Sequence, residues 1–193
     1  MSACSSSVLQ NQLASGKVGV RHLYSRFYRT ETGHTMTDES ATAPSAGRSR
    51  NMAAIRRSET KPEREFRSAL HRAGYRFRKD LRMPVEGGYA RPDVVFTRRR
   101  IAVFIDGCFW HSCPAHGTEP GVNRGYWGPK LQRTRERDAR DNEALLADGW
   151  VVVRIWTHVP LAQSLAVFEH IFENTSRPGD ARAGAPERMW RVE

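Results

Sequence analysis

Two apolar runs, Ile101-Ala102-Val103-Phe104-Ile105 and Trp150-Val151-Val152-Val153-Arg154-Ile155-Trp156, constrain the fold of this 193-residue chain more than any other feature. Each is short, rich in β-branched and aromatic residues, and bounded by polar turns, which is the pattern of a buried strand. A long polar-faced helix is expected between them, from Pro129 to Ala147, closed by Asp148-Gly149. Upstream, Thr60-Lys61-Pro62-Glu63 opens another helix: Thr60 can cap, Pro62 suits the first turn, and Glu63 occupies the capping-box position. Phe66, Ala69, Leu70 and Ala73 then mark one apolar face, and Gly74 supplies the stop. Tyr75 to Lys79 alternates like an edge strand, Arg91 to Phe96 reads as a short strand, and Thr97 to Arg100 as a polar turn. Leu161 to Glu173 forms the last helix. Helix, three strands, helix, strand, helix predicts a small α/β domain with a mixed central sheet flanked by helices.

The expected organisation is an N-terminal extension over 1–47, disordered because Ser, Thr, Gly and Ala recur there with few core-spaced apolar residues, then one domain over 48–175 and a flexible tail over 176–193. Met36 is a plausible alternative start. Lys and Arg outnumber Asp and Glu by 31 to 21, a net charge of +10. Such an excess predicts attraction to a polyanion, nucleic acid before membrane because no basic amphipathic helix with a bulky apolar face stands out; the alternative is a merely basic, solubilising surface. No run approaches the about 18 apolar residues of a spanning helix, and the N-terminus lacks the pattern of a secretory signal. Three cysteines, an odd number, fit a reducing compartment. The expected location is cytoplasmic, associated with the nucleoid.

Two clusters carry chemistry. Asp93 begins one strand and Asp106 ends the next, with twelve residues between them, a spacing that in a hairpin-like pair brings both carboxylates to one end of the sheet. Magnesium takes oxygen ligands of this kind and can polarise a phosphodiester. The pattern resembles the PD-(D/E)xK nuclease core with its lysine missing, because Asp106-Gly107-Cys108 follows; a Pro-Asp at a strand start is equally at home in a plain turn. The second cluster is Cys108-Phe109-Trp110-His111-Ser112-Cys113-Pro114-Ala115-His116. Cys108, Cys113 and His116 are three zinc-type ligands, and His158, just beyond the second apolar strand, is the best candidate for the fourth; the alternative is two buried thiols with surface histidines. His111 is left over, a reasonable general base for water beside a metal-bound phosphate. Phe109 and Trp110 either bury in the core or form a wedge that enters between base pairs.

Asp106 to His111 followed by Cys113-Pro114-Ala115-His116-Gly117-Thr118 resembles the signature of the very-short-patch-repair (Vsr) mismatch endonucleases. So do Arg48 to Ile55, Thr60 to Glu63, Arg91-Pro92-Asp93, Tyr126-Trp127, Arg135 to Asp138 and Gly149-Trp150, in the family's order over about residues 48 to 160. The resemblance implies a restriction-endonuclease-like core with structural zinc, and magnesium-dependent nicking of one DNA strand 5′ of the thymine in T:G mismatches left by 5-methylcytosine deamination. By position it implies Asp93 and the Ile105 carbonyl as magnesium ligands, His111 as general base, and Glu63 orienting that histidine or water unless it serves only the helix cap. It further implies Cys108, Cys113, His116 and His158 on zinc, and Phe109, Trp110 and Met52 wedging into DNA. Some members carry histidine where this chain has Asp106, so Asp106 stands as a catalytic candidate and a further magnesium candidate. Arg48, Arg50, Arg56 and Arg57, with Arg124, Lys130, Arg133, Arg135, Arg137 and Arg140, fit a clamp on phosphates, mixed with ordinary solvated helix charge. A monomer suffices for a single-strand nick, and mismatch-repair proteins are candidate partners. Two other readings are a restriction or homing-type nuclease that cuts intact DNA, and a zinc-stapled DNA-binding module without catalysis; the gathering of Asp93, Asp106 and His111 argues against the module.

Overall fold

The structure is a computed structural model that describes residues 59–117, 120, 124–175 and 188–193. Its elements are α1 (Lys61–Arg72), β1 (Met83–Val85), β2 (Gly88–Ala90), β3 (Val94–Phe96), β4 (Ile101–Asp106), α2 (Arg124–Ala147), β5 (Val151–Trp156), α3 (Leu161–Asn174) and β6 (Met189–Val192). Four strands form a sheet in the order β3-β4-β5-β6. β3 runs antiparallel to β4, whereas β4, β5 and β6 are parallel, so the sheet is mixed and flanked by helices as the sequence predicts. α2 is the crossover that parallel neighbours require between β4 and β5. Ile101 pairs with Val151 at one end of that pair and Asp106 with Trp156 at the other.

Period-two alternation divides the sheet's side chains between two cores. Val94, Phe96, Ile101, Val103, Val151, Val153 and Ile155 meet Phe66 and Leu70 of α1 and Val167, Phe168 and Ile171 of α3. Val95, Ala102, Phe104 and Val152 meet Leu145 of α2 and Met83 and Ala90 of the β1–β2 hairpin. Both faces of β5 are covered, which is why its sequence is a nearly unbroken apolar run.

Several sequence expectations need correction. Tyr75 to Lys79 is not a strand: Arg78 alone bridges Val95, while Tyr75 and Phe77 turn into an aromatic cluster with Phe96, Phe168 and Phe172. The hairpin Met83–Val85 to Gly88–Ala90 was unforeseen; Gly87, at φ +75°, makes its turn. α2 begins at Arg124, leaving Pro129 inside the helix, where it removes one backbone donor. The extra N-terminal turn carries Tyr126 and Trp127, whose rings pack together and against the loop after β4. Ala73 is exposed, so the buried face of α1 is Phe66, Ala69 and Leu70 with Glu63 and Arg67. The tail expected over 176–193 ends as a strand: Met189–Val192 adds to the edge of β5. The extension over 1–47, together with Arg48, Arg50, Met52, Arg56 and Arg57, lies outside the described residues. Among the described residues, no helix is long and apolar enough to cross a membrane.

Candidate active site and metal centre

Because β3 and β4 form an antiparallel pair, the residue before β3 returns beside the C-terminal end of β4. Asp93 is that residue, and its Oδ2 accepts a hydrogen bond from the Ile105 backbone N–H at 2.7 Å. Burial pushes the Asp93 carboxyl up to about 7; the Ile105 hydrogen bond and Arg67 oppose the shift, and the charges of Glu63 and Asp106 add to it. Glu63 reaches the same neighbourhood from the first turn of α1. Its buried carboxylate accepts from the Glu59 N–H at 2.8 Å and the Thr60 hydroxyl at 2.7 Å, with Arg67 at 3.7 Å. Thr60 therefore serves Glu63 and makes no side-chain cap to the helix backbone. A carboxylate raised by burial, and further by acidic neighbours, sits where an incoming cation is favoured, and oxygen donors suit magnesium.

Asp106 is differently placed. It is 2 % exposed, as is Arg154 of β5, and both lie on the α2-facing side of the sheet. Arg154 Nε donates to Asp106 Oδ2 at 2.5 Å and Nη2 to Oδ1 at 2.8 Å, a bidentate pair that occupies both carboxylate oxygens. This arrangement engages Asp106 with a guanidinium. Arg154 Nη1 also donates to Asn142 Oδ1 at 3.0 Å, and Nη2 lies 3.3 Å from Asp138 Oδ1. Burial pulls the Arg154 pKa down, but the charge and hydrogen bonds of Asp106, and then those of Asp138, outweigh it and hold the group charged. Removing one partner from such a buried pair costs roughly 3–5 kcal/mol.

His111 sits on this network. Its Nδ1 is 2.5 Å from Asp138 Oδ2 and 3.6 Å from Asp106 Oδ1. Burial would raise the Asp138 pKa, but the His111 hydrogen bond and the charges of Arg154, His111 and Arg137 bring it down to about 2. An ionised carboxylate only accepts, so in the short contact His111 Nδ1 is the donor. Asp138 alternates with arginines on α2 like ordinary helix charge, which hides its role in the sequence. Its spacing from Asn142, one turn on, is the signal that both face the sheet.

The loop after β4 then turns sharply. Ser112 adopts φ +53°, between His111, which faces Asp138, and Cys113, which is buried. Cys108, Cys113, His116 and His158 come together, one ligand atom from each lying within 4.8 Å of the others. Cys108 Sγ is 3.2 Å and Cys113 Sγ 3.7 Å from His158 Nδ1, and Cys113 Sγ is 3.9 Å from His116 Nδ1. Burial and the neighbouring His116 lower the His158 pKa, against Glu193, which favours the neutral ring a metal needs. This Cys/His group can bind a metal. Its two thiols, two imidazoles and close spacing fit tetrahedral coordination. Gly117 closes the loop where a Cβ would stand 2.4 Å from the Cys113 carbonyl oxygen.

Phe109 and Trp110 are half-buried and belong to neither sheet core. They pack with Trp127, at ring-centroid distances of 5.6 and 5.8 Å, and Tyr126, 62 % exposed, extends the group. Lys130 Nζ lies 5.1–5.5 Å from the ring centroids of Trp110, Tyr126 and Trp127. Farther along α2, Arg133, Arg135, Arg137 and Arg140 are exposed.

Comparison with known proteins agrees with this geometry. Residues 42–116 match the family described as DNA mismatch endonuclease Vsr. The chain is 50% identical over 139 residues to the type II nicking enzyme V.NaeI of Lentzea aerocolonigenes, covering 68% of this chain and 84% of the relative. It is 42% identical over 109 residues to the type II nicking enzyme V.XorIIP of Xanthomonas oryzae pv. oryzae, covering 54% of this chain and 75% of the relative. It is also 35% identical over 113 residues to the DNA mismatch endonuclease Vsr of Escherichia coli, covering 58% of this chain and 69% of that protein. The α/β architecture, the acid-and-histidine site at the strand ends and these likenesses agree: the chain belongs to the Vsr family of DNA endonucleases.

Proposed function

We propose that this protein nicks one strand of duplex DNA 5′ of the thymine in a T:G mismatch by magnesium-dependent phosphodiester hydrolysis. The observation that carries the proposal is the His111–Asp138 pair at the end of the sheet where the Asp93 carboxylate also lies, an imidazole oriented through Nδ1 by an ionised acid. Asp93 and the Ile105 carbonyl would hold magnesium, which when bound polarises the phosphodiester and offsets charge developing on its oxygens. His111 Nε2 takes the proton from the attacking water, and Asp138 stabilises the imidazolium that results. Glu63 orients water or the metal's surroundings from α1. Cys108, Cys113, His116 and His158 would hold zinc and so fix the loop that carries His111. Phe109 and Trp110 form a wedge at the mismatch, and the arginines of α2 contact phosphates. The mismatch substrate draws support from the family description and from the E. coli relative's name, and the single-strand nick from the nicking enzymes' names.

The site assignment is tested with Asp93→Asn and His111→Ala. Each is expected to slow single-turnover nicking by about 100-fold or more while leaving DNA binding within a few-fold. Wild-type-like nicking by either variant would remove that residue from the mechanism.

A further inference from the structure

We infer that Arg154 is a positioning residue that holds Asp138 in place against His111, so that this carboxylate orients the imidazole. The inference rests on the reading of His111 as general base and concerns a side chain that reading leaves without a role. Two carboxylates lie near His111 Nδ1, Asp138 at 2.5 Å and Asp106 at 3.6 Å, and a single N–H can serve only one of them well. Arg154 removes the ambiguity. Its Nε and Nη2 take both oxygens of Asp106, so that carboxylate cannot swing to the imidazole. The same Nη2 holds Asp138 through Oδ1, at 3.3 Å, and leaves Oδ2 to face Nδ1. Nη1 fastens Asn142, one turn along α2 from Asp138, and so sets the rotation of that helix over the sheet. The guanidinium lies over Phe104, 4.8 Å from its ring centroid, a platform that fixes its plane. Arg154 Nη2 also lies 3.5 Å from His111 Nδ1. A lysine could supply the charge but not the fork, because one ammonium cannot bracket Asp106 while touching Asp138 and Asn142.

Removing Arg154 alone would strand buried carboxylates, so the test removes the Asp106–Arg154 pair together, as Asp106→Leu/Arg154→Met, and compares it with Arg154→Lys. Five quantities are measured: melting temperature, single-turnover kcat and KM on T:G duplex, half-saturating magnesium, and the His111 tautomer from its ring-nitrogen NMR shifts in magnesium-free, DNA-free protein. The expected result is a folded double variant with KM and magnesium requirement within about threefold of wild type, kcat lower by about tenfold or more, and the Nδ1–H tautomer no longer dominant. A folded double variant with full kcat and an unchanged tautomer would show that the pair only fills the core and would overturn the inference. Lower kcat with a raised magnesium requirement and an unchanged tautomer would overturn it too, by making Asp106 a metal ligand. If the double variant does not fold, Arg154→Lys decides on the same readouts: loss of tautomer and kcat supports the fork, and retention of both rejects it. Failure of His111→Ala to slow nicking would refute the general-base reading instead, and the tautomer would still report on Arg154.

Discussion

A carboxylate that holds its proton near neutral pH binds a cation only by giving that proton up. Asp93 is pushed to about 7, by burial first and by its acidic neighbours in addition. Magnesium should therefore compete with a proton: half-saturating magnesium for nicking falls as pH rises from 6 to about 7 and levels off above it. A requirement that stays flat across that range would remove Asp93 from the metal site. The stability of the metal-free protein follows the same sign. Its folded state keeps a proton on Asp93 above the ordinary value of 3.8, so the group's contribution is fully present below that value and is lost as pH rises through about 7. Asp138 has the opposite sign: its contribution is present above 3.8 and lost as pH falls through about 2. At this scale the sequence is legible where chemistry is unusual and opaque where it is ordinary. His111 stands out in a dense Cys/His loop, whereas Asp138 is camouflaged among helix arginines. Arg154 did leave a trace, a lone charge inside an otherwise apolar strand, and such a charge must find buried partners.

The loop after β4 does two things at once, presenting His111 to α2 and Cys113 to the Cys/His group, and Ser112 in its left-handed conformation is the pivot between them. Purified protein should contain about one zinc per chain, and Cys113→Ser should lower both zinc content and melting temperature, because metal binding adds directly to folding stability. Correctly folded protein without zinc would refute this. The aromatic group beside the loop makes a separate prediction. Trp110→Ala should reduce nicking of mismatched DNA far more than duplex affinity, because unstacking a step costs on the order of a few kcal/mol that an inserted ring must offset. Full activity with a melting temperature many degrees lower would mark Trp110 as a packing residue. Among the elements, the strands buried on two faces were legible from their apolar runs. The β1–β2 hairpin was not, because Val85-Glu86-Gly87-Gly88 reads as loop until Met83 and Ala90 find the second core. The last strand was hidden because its stability comes from the edge of β5 rather than from its own sequence pattern.

Over the whole molecule, an excess of ten positive charges draws the protein to DNA without regard to sequence, while the site at the strand ends determines where it acts. These two contributions respond differently to salt. Duplex affinity should weaken steeply as salt rises, whereas the preference among bound duplexes depends on the cost of opening a step. The sheet places Asp93, Asp106 and the His111 loop at one end, and α2 brings Asp138, Asn142 and Lys130 to that end, so catalysis and selection share one edge of the fold. The most direct measurement is single-turnover nicking, with magnesium, of duplexes that differ only in T:G against T:A at one position, across several flanking sequences. The account predicts a nick 5′ of the mismatched thymine and little or none in the matched duplexes; equal nicking of matched DNA at a fixed sequence would contradict it.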